Sequence, residues 1–236
     1  MKIKNEKELF DLFVANERSL ADVLKTPFIQ DNDGRVCASD GFIVIMVNPD
    51  CVSGEYEIRD FGPKSPLRGY NCDKPLLVSD LQDALRRCPQ VREMKIIDTK
   101  LVQCPECEGT GEVTAEYVAD YDDEEYDIEC TCPICDGEGT IEEEVKEPTG
   151  NTIPDKACII KFGKGYYPWY YIDTIIKTCE MLKIEKVKLV RTSKSDLSII
   201  ELSSDIHIGL MPLVGFLLNG KLFPAIDVKF TELSKR

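Results

Sequence analysis

"CPECEGTG" occupies Cys104–Gly111 and "CPICDGEG" occupies Cys132–Gly139. One eight-residue word, C-P-x-C-x-G-x-G, is written twice in a chain of 236 residues with a single histidine. Two thiolates in a tight C-x-x-C turn reach one ion from the same loop. Two such loops supply four sulfurs, which zinc accepts as a tetrahedron at about 2.3 Å per bond. Gly109 and Gly111 after the first pair, and Gly137 and Gly139 after the second, let the backbone turn away without steric cost. The expectation is one zinc per chain on Cys104, Cys107, Cys132 and Cys135. The other reading of these residues is four free thiols or two redox pairs. Cys130 opens no C-x-x-C pair and is expected to stand outside the site. A four-thiolate shell leaves no position for water or substrate, so its role is structural.

Charge separates the same stretch from the rest. The chain carries a formal net charge of -14. Residues 104–147 hold 17 acidic side chains against one base, Lys146, and the remainder is nearly neutral. The reading is therefore an α+β body, 1–101 with 148–236, interrupted by an acidic insertion, 102–147. In the insertion, "EVTAEYV" and "EYDIEC" alternate weakly and flank "DYDDEE", as in a hairpin pinned at its base by the metal. A segment this acidic needs the free energy of metal binding to stay compact. The charged start "MKIKNEKELF" lacks the apolar run of a signal peptide, and no stretch has the length of a membrane span. The expected compartment is cytoplasmic and reducing. The seven other cysteines, Cys158 and Cys179 among them, are then small apolar packing residues.

Working outward, Asn5, Glu8, Leu9, Leu12 and Phe13 predict a first helix. "PFIQ", "RVCA" and "FIVIMV", split by turn words, predict a three-strand meander. "VSDLQDALRRC" predicts a second helix with Ser79 and Gln82 as a capping box and Pro89 as its stop. "VREMKIID" and "ACIIKFG" predict strands on either side of the insertion. Pro168 opens a third helix with Ile172, Ile175, Ile176, Cys179 and Leu182 on one face. "KVKLVR", "LSIIEL" and "DIHIGLM" follow as strands, with His207 alternating outward to solvent. "FLLNGKLF" predicts a hairpin around Asn219–Gly220. Strands and helices do not alternate strictly, which argues for a largely antiparallel sheet rather than a doubly wound parallel one.

Cys104, Cys107, Gly109 and Gly111, with Cys132, Cys135, Gly137 and Gly139, resemble two repeats of the cysteine-rich zinc domain of DnaJ-type co-chaperones. The resemblance covers about residues 102–141. That family has four repeats and two zincs, and its J-domain tripeptide "HPD" does not occur here, so the resemblance implies the zinc hairpin and not the co-chaperone activity. "GRVCASDGFIVIMV" resembles the strand–turn–strand of bacterial sliding-clamp domains, with Ala38, Ser39, Asp40 and Gly41 as the turn. Pro168–Pro212, a helix before three strands ending in Met211–Pro212, resembles a clamp half-domain. Clamp domains pair two such units with their helices toward DNA inside a ring, which implies DNA as a partner and self-association. A clamp subunit has three domains and this chain has room for about one or one and a half.

Arg86 and Arg87 on the second helix, with Lys183, Lys186, Lys188 and Arg191 after the third, are the candidate nucleic-acid contacts, since Lys and Arg neutralise phosphates. "FGKGYYPWYY" lacks the G-K-[ST] ending of a phosphate loop, and its aromatics are expected to pack a helix lead-in. Asp122–Glu125 lack the spaced ligands and glycine turn of a calcium loop. With one histidine and no catalytic constellation, no enzyme activity is expected. The expected function is a zinc-binding factor at DNA or its processing machinery. The alternative is a protein-interaction or chaperone-like adaptor working through the zinc hairpin, with a basic protein as partner.

Overall fold

The connection between the apolar runs Val36–Ser39 and Ile43–Val47 is built to reverse the chain. Ser39 Oγ donates to the Ile43 carbonyl (2.8 Å) and accepts from Gly41 N–H (3.0 Å). Asp40 Oδ1 accepts from the amides of Phe42 (2.8 Å) and Ile43 (2.9 Å). Gly41, at φ +98°, supplies the left-handed step.

The computed structural model describes residues 2–15, 24–31, 34–59, 72–118, 125–213, 217–218, 221–222 and 225–230. Its elements begin with α1 (Glu6–Asp11), β1 (Phe28–Gln30), β2 (Val36–Ser39), β3 (Ile43–Val47), β4 (Glu57–Arg59), β5 (Lys74–Leu77) and α2 (Val78–Arg86). There follow β6 (Gln90–Gln103), β7 (Glu112–Val118), β8 (Glu125–Thr131) and β9 (Thr140–Pro154). Then come β10 (Ile159–Phe162), β11 (Gly165–Pro168), α3 (Trp169–Leu182), β12 (Lys186–Arg191), β13 (Ser198–Ser203) and β14 (Ile206–Leu210). The last are β15 (Leu217–Leu218), β16 (Lys221–Leu222) and β17 (Ala225–Asp227). The chain is α+β, with a mostly antiparallel sheet and three α-helices among the described residues. The predicted elements are present, and β15 pairs with β16, while the Asn219–Gly220 turn itself lies outside the described residues.

Two compact units divide at Gln90/Val91 and Ile153/Pro154, outside the expected 102–147. In the larger, Met1–Gln90 with Pro154–Arg236, one sheet runs β4-β1-β2-β3-β14-β13-β12-β5. A helix followed by a three-strand meander occurs twice, as α1-β1-β2-β3 and α3-β12-β13-β14. The two meanders meet antiparallel at β3 and β14, with Ile45 opposite Ile208. Alternation sorts the side chains. Val36, Ala38, Ile43, Ile45, Val47, Ile200, Ile206, Ile208 and Leu210 pack with Leu9, Phe10, Leu81, Ile172 and Ile175 from the helices. Phe28, Cys37, Met46, Val190 and Ile199 form a second cluster. Beside this sheet, β10 pairs antiparallel with β11 and parallel with β17.

Three local expectations are corrected. Ser79 and Gln82 form no capping box: Leu77 is the N-cap, its amide donates to Asp80 Oδ2 at 3.4 Å, and Gln82 donates to Glu180. His207 is buried, not solvated, with 4% of its surface exposed. β14 lies in mid-sheet, so its alternation separates two packed faces rather than core from water. Burial first, and then the charge of Arg35, whose Nη1 lies 3.4 Å from His207 Nδ1, hold that imidazole down to about 4. Cys158 is no free packing residue but is disulfide-bonded to Cys88. Asp155 N–H donates to the Pro89 carbonyl at 2.8 Å, which brings the two segments together and leaves the cysteine Cα atoms 6.1 Å apart.

The smaller unit, Val91–Ile153, is built from β6 paired with β9 and β7 paired antiparallel with β8, from Glu112 opposite Thr131 to Val118 opposite Glu125. Lys100 bridges to Glu143 (2.7 Å) and Glu93 accepts from Thr149 (2.7 Å), so β6 and β9 run antiparallel. Its buried cluster is Cys104, Cys107, Cys132 and Cys135, with Val113 and Ile141 packed against it. Asp122, Asp123 and Glu124 lie outside the described residues.

Candidate metal centre

Each C-P-x-C word folds as a turn directly after a strand, the first after β6 and the second after β8. Glu108 and Asp136 both sit at φ 49°, and all four glycines of the repeated word have positive φ. Gly111 and Gly139 are needed for closeness as well as conformation. A Cβ on Gly111 would run into the Gly137 carbonyl, and one on Gly139 into the Gly109 carbonyl. This approach lets the loops exchange backbone hydrogen bonds. Cys104 N–H donates to the Gly139 carbonyl and Cys132 N–H to the Gly111 carbonyl, both at 2.8 Å. The two words are thus related by a local pseudo-twofold.

That packing brings four sulfurs together. All lie within 4.8 Å of one another, and all four residues are buried. Cys104 Sγ is 3.8 Å from Cys132 Sγ, and Cys107 Sγ is 3.7 Å from Cys135 Sγ. A regular tetrahedron with metal–sulfur bonds of about 2.3 Å has edges of about 3.8 Å, so these spacings fit a four-thiolate ion site. Gly111 N–H donates to Cys107 Sγ (3.3 Å) and Gly139 N–H to Cys135 Sγ (3.2 Å), bonds that favour the thiolate. Burial resists ionisation at Cys107, but the Gly111 amide and its neighbours win and hold it at about 7. Burial and the adjacent sulfurs push Cys135 up to about 11. Neighbouring thiolates repel, and a cation among them removes that penalty. Cys130, half-buried on β8 opposite Val113, stands outside the tetrad.

Three of the candidate nucleic-acid residues make contacts within the body. Arg86 bridges to Asp83 (2.6 Å), and Arg87 donates to the carbonyls of Asp83 (3.2 Å) and Asp227 (2.6 Å). Lys183 is the left-handed C-cap of α3. Lys188 bridges to Asp73 (2.9 Å) on β12, the strand that also carries Lys186 and Arg191. "FGKGYYPWYY" runs from the end of β10 through the turn and β11 into the start of α3; Lys164 N–H donates to Thr192 Oγ1 (2.6 Å), and Tyr167 is buried with its hydroxyl on Ser198 (2.7 Å). No local feature of the sequence marks the Cys88–Cys158 pairing, which joins segments 70 residues apart. Among the described residues, no helix is long and apolar enough to cross a membrane.

No protein-family model and no curated protein matches the chain. Among solved structures it is similar to a DNA polymerase sliding clamp from Pseudomonas aeruginosa, at 12% identity and a TM-score of 0.42 over 88% of this chain and 65% of that one. It is also similar to DNA polymerase III subunit beta from Borrelia burgdorferi, at 10% identity and a TM-score of 0.45 over 90% of this chain and 62% of that one. A third is the Helicobacter pylori beta clamp bound to a DNA ligase peptide, at 11% identity and a TM-score of 0.41 over 87% and 62%. The chain thus spans less than two thirds of the length of these proteins.

Proposed function

We propose that the chain is a non-enzymatic zinc-binding factor whose acidic insertion recruits a basic protein partner. The observation that carries this reading is the tetrad of four buried sulfurs within 4.8 Å of one another, set in a unit with 19 acidic and four basic side chains. Zinc suits four thiolates, fills its shell with them, and supplies folding free energy rather than chemistry. Such a site would tie the acidic β7–β8 pair to the nearly balanced β6–β9 pair, and the charge concentrated in the unit selects a Lys/Arg-rich partner over an acidic one. The same charge repels DNA within a Debye length, ~8 Å at physiological salt. The test is a salt titration of binding to poly-lysine by the intact chain and by a variant in which a short linker replaces 91–153, with zinc content measured in both. Binding by the intact chain alone, weakening with salt, is expected. Equal binding by the two forms would overturn the reading.

A second reading places the body at DNA or its processing machinery, with self-association. The doubled helix-plus-meander unit, joined at Ile45 and Ile208, supports it. Arg86, Arg87, Lys183, Lys186, Lys188 and Arg191 are its candidate contacts. A DNA-binding assay on the intact and 91–153-replaced chains separates the readings. Tighter binding without the insertion, abolished by Arg86→Glu with Arg87→Glu, would favour DNA. No binding by either form at low salt would leave the protein-recruiting reading alone.

A further inference from the structure

Large apolar side chains left in solvent concentrate on one strand. Val91, Met94, Ile96, Ile97 and Leu101 all lie on β6, with Ile97 50% and Leu101 71% exposed. The facing strand β9 presents exposed Glu142, Glu143, Lys146, Glu147 and Thr149 instead. Among the described residues β6 pairs with β9 alone, so its other edge has no strand beside it. A two-stranded ribbon covers neither face and is marginal in water by itself. Edge strands are usually guarded by shortness, by charged residues, Lys above all, or by proline. β6 is 14 residues long and contains no proline, and with Lys100 committed to Glu143 at 2.7 Å its remaining bases are Arg92 and Lys95, both before the Ile96–Ile97 centre of the strand.

We propose that the free edge of β6 is a docking rail for an extended, basic segment of a protein partner, which adds a third strand there. Backbone hydrogen bonds along the edge supply affinity, and alternate apolar side chains of the partner cover Ile96 on one face and Ile97 on the other. Charge selects the occupant. β6 itself is balanced, with Arg92, Lys95 and Lys100 against Glu93 and Asp98, but the facing β9 carries four glutamates to one lysine and the unit as a whole 19 acids to four bases, which disfavours nucleic acid and a second, equally acidic copy and attracts a segment that alternates apolar residues with Lys or Arg. The inference rests on the protein-recruiting reading and adds the place and the pairing mode.

The test is fluorescence anisotropy on the full zinc-loaded chain with a labelled twelve-residue peptide alternating Lys and Val. A second peptide carries two central prolines in place of valines. The parent is compared with the charge-neutral variant Ile96→Thr, Ile97→Thr, whose threonines keep strand preference. Expected is binding of the alternating peptide, weakened at least tenfold both by the prolines and by the double variant, with zinc content unchanged. Equal binding of both peptides by both proteins would overturn the rail and leave recruitment by charge standing. No binding of the alternating peptide by the fully metallated parent would overturn both.

Discussion

Gly111→Ala isolates the close approach that builds the metal site. Gly111 sits at φ +81°, and a Cβ there meets the Gly137 carbonyl, which is backbone and has little room to yield. A left-handed alanine costs about 1–2 kcal/mol. Displacing the loop weakens the 2.8 Å bond from Cys132 N–H to the Gly111 carbonyl, worth about 1 kcal/mol more. Together these come to about 2–3 kcal/mol, or a ~30–150-fold loss of metal affinity at tenfold per 1.4 kcal/mol. Gly150→Ala is the control. Its φ is +88° but nothing lies within 4 Å of its added Cβ, so it incurs backbone strain without touching the loops. Gly139→Ala should match Gly111→Ala, because its clash with the Gly109 carbonyl is the pseudo-symmetric equivalent. The assay is competition for zinc against a chromogenic chelator. An affinity for Gly111→Ala within threefold of the Gly150→Ala value would refute the reasoning.

Cys104→Ser should abolish stoichiometric zinc, while Cys130→Ser should leave it at one per chain, as read by elemental mass spectrometry. Replacing 91–153 by a short linker should leave one cooperative thermal transition, because Pro89 and Asp155 are already hydrogen-bonded at 2.8 Å; loss of the transition would make the insertion part of the body's core. His207 should make the body acid-sensitive. The unfolded chain takes a proton near 6.5 and the folded one only near about 4, so the unfolded state binds more protons between these values and stability falls as pH drops through that window. The loss approaches about 3 kcal/mol at 1.36 kcal/mol per unit, and His207→Gln should flatten it in denaturant titrations at pH 4 to 7.

Local signals account for what could be read in advance. The first meander is legible because Asp40–Gly41 is a turn word between two apolar runs, and the tetrad because its cysteines sit at fixed offsets inside a repeated word. The solvent-facing expectation for His207 fails because alternation gives the period of a strand but not whether both faces are covered. The apparent capping box misled because Ser79 lies one residue inside the helix, where Asp80 reaches the Leu77 amide instead. The division of the chain shifted outward because charge marks the acidic hairpin, whereas the paired strands below it, with Arg92, Lys95 and Lys100 on β6, are nearly balanced. The Cys88–Cys158 bond and the β3–β14 joint rest on long-range pairing that no local window contains.

That joint sets a timetable for biosynthesis. Val47 at the end of β3 finds its partner Ile206 about 160 residues later. At roughly 5–20 residues per second, the ribosome takes on the order of 8–30 s to deliver it. During that interval the first meander has emerged with the apolar "IVIMV" edge of β3 unpaired, a template for pairing with another chain. The intervening segment includes the whole 91–153 unit, whose four cysteines are complete once Cys135 has emerged. Translation rate therefore sets how long a half-made sheet stays exposed, and slow translation should raise aggregation of the nascent chain.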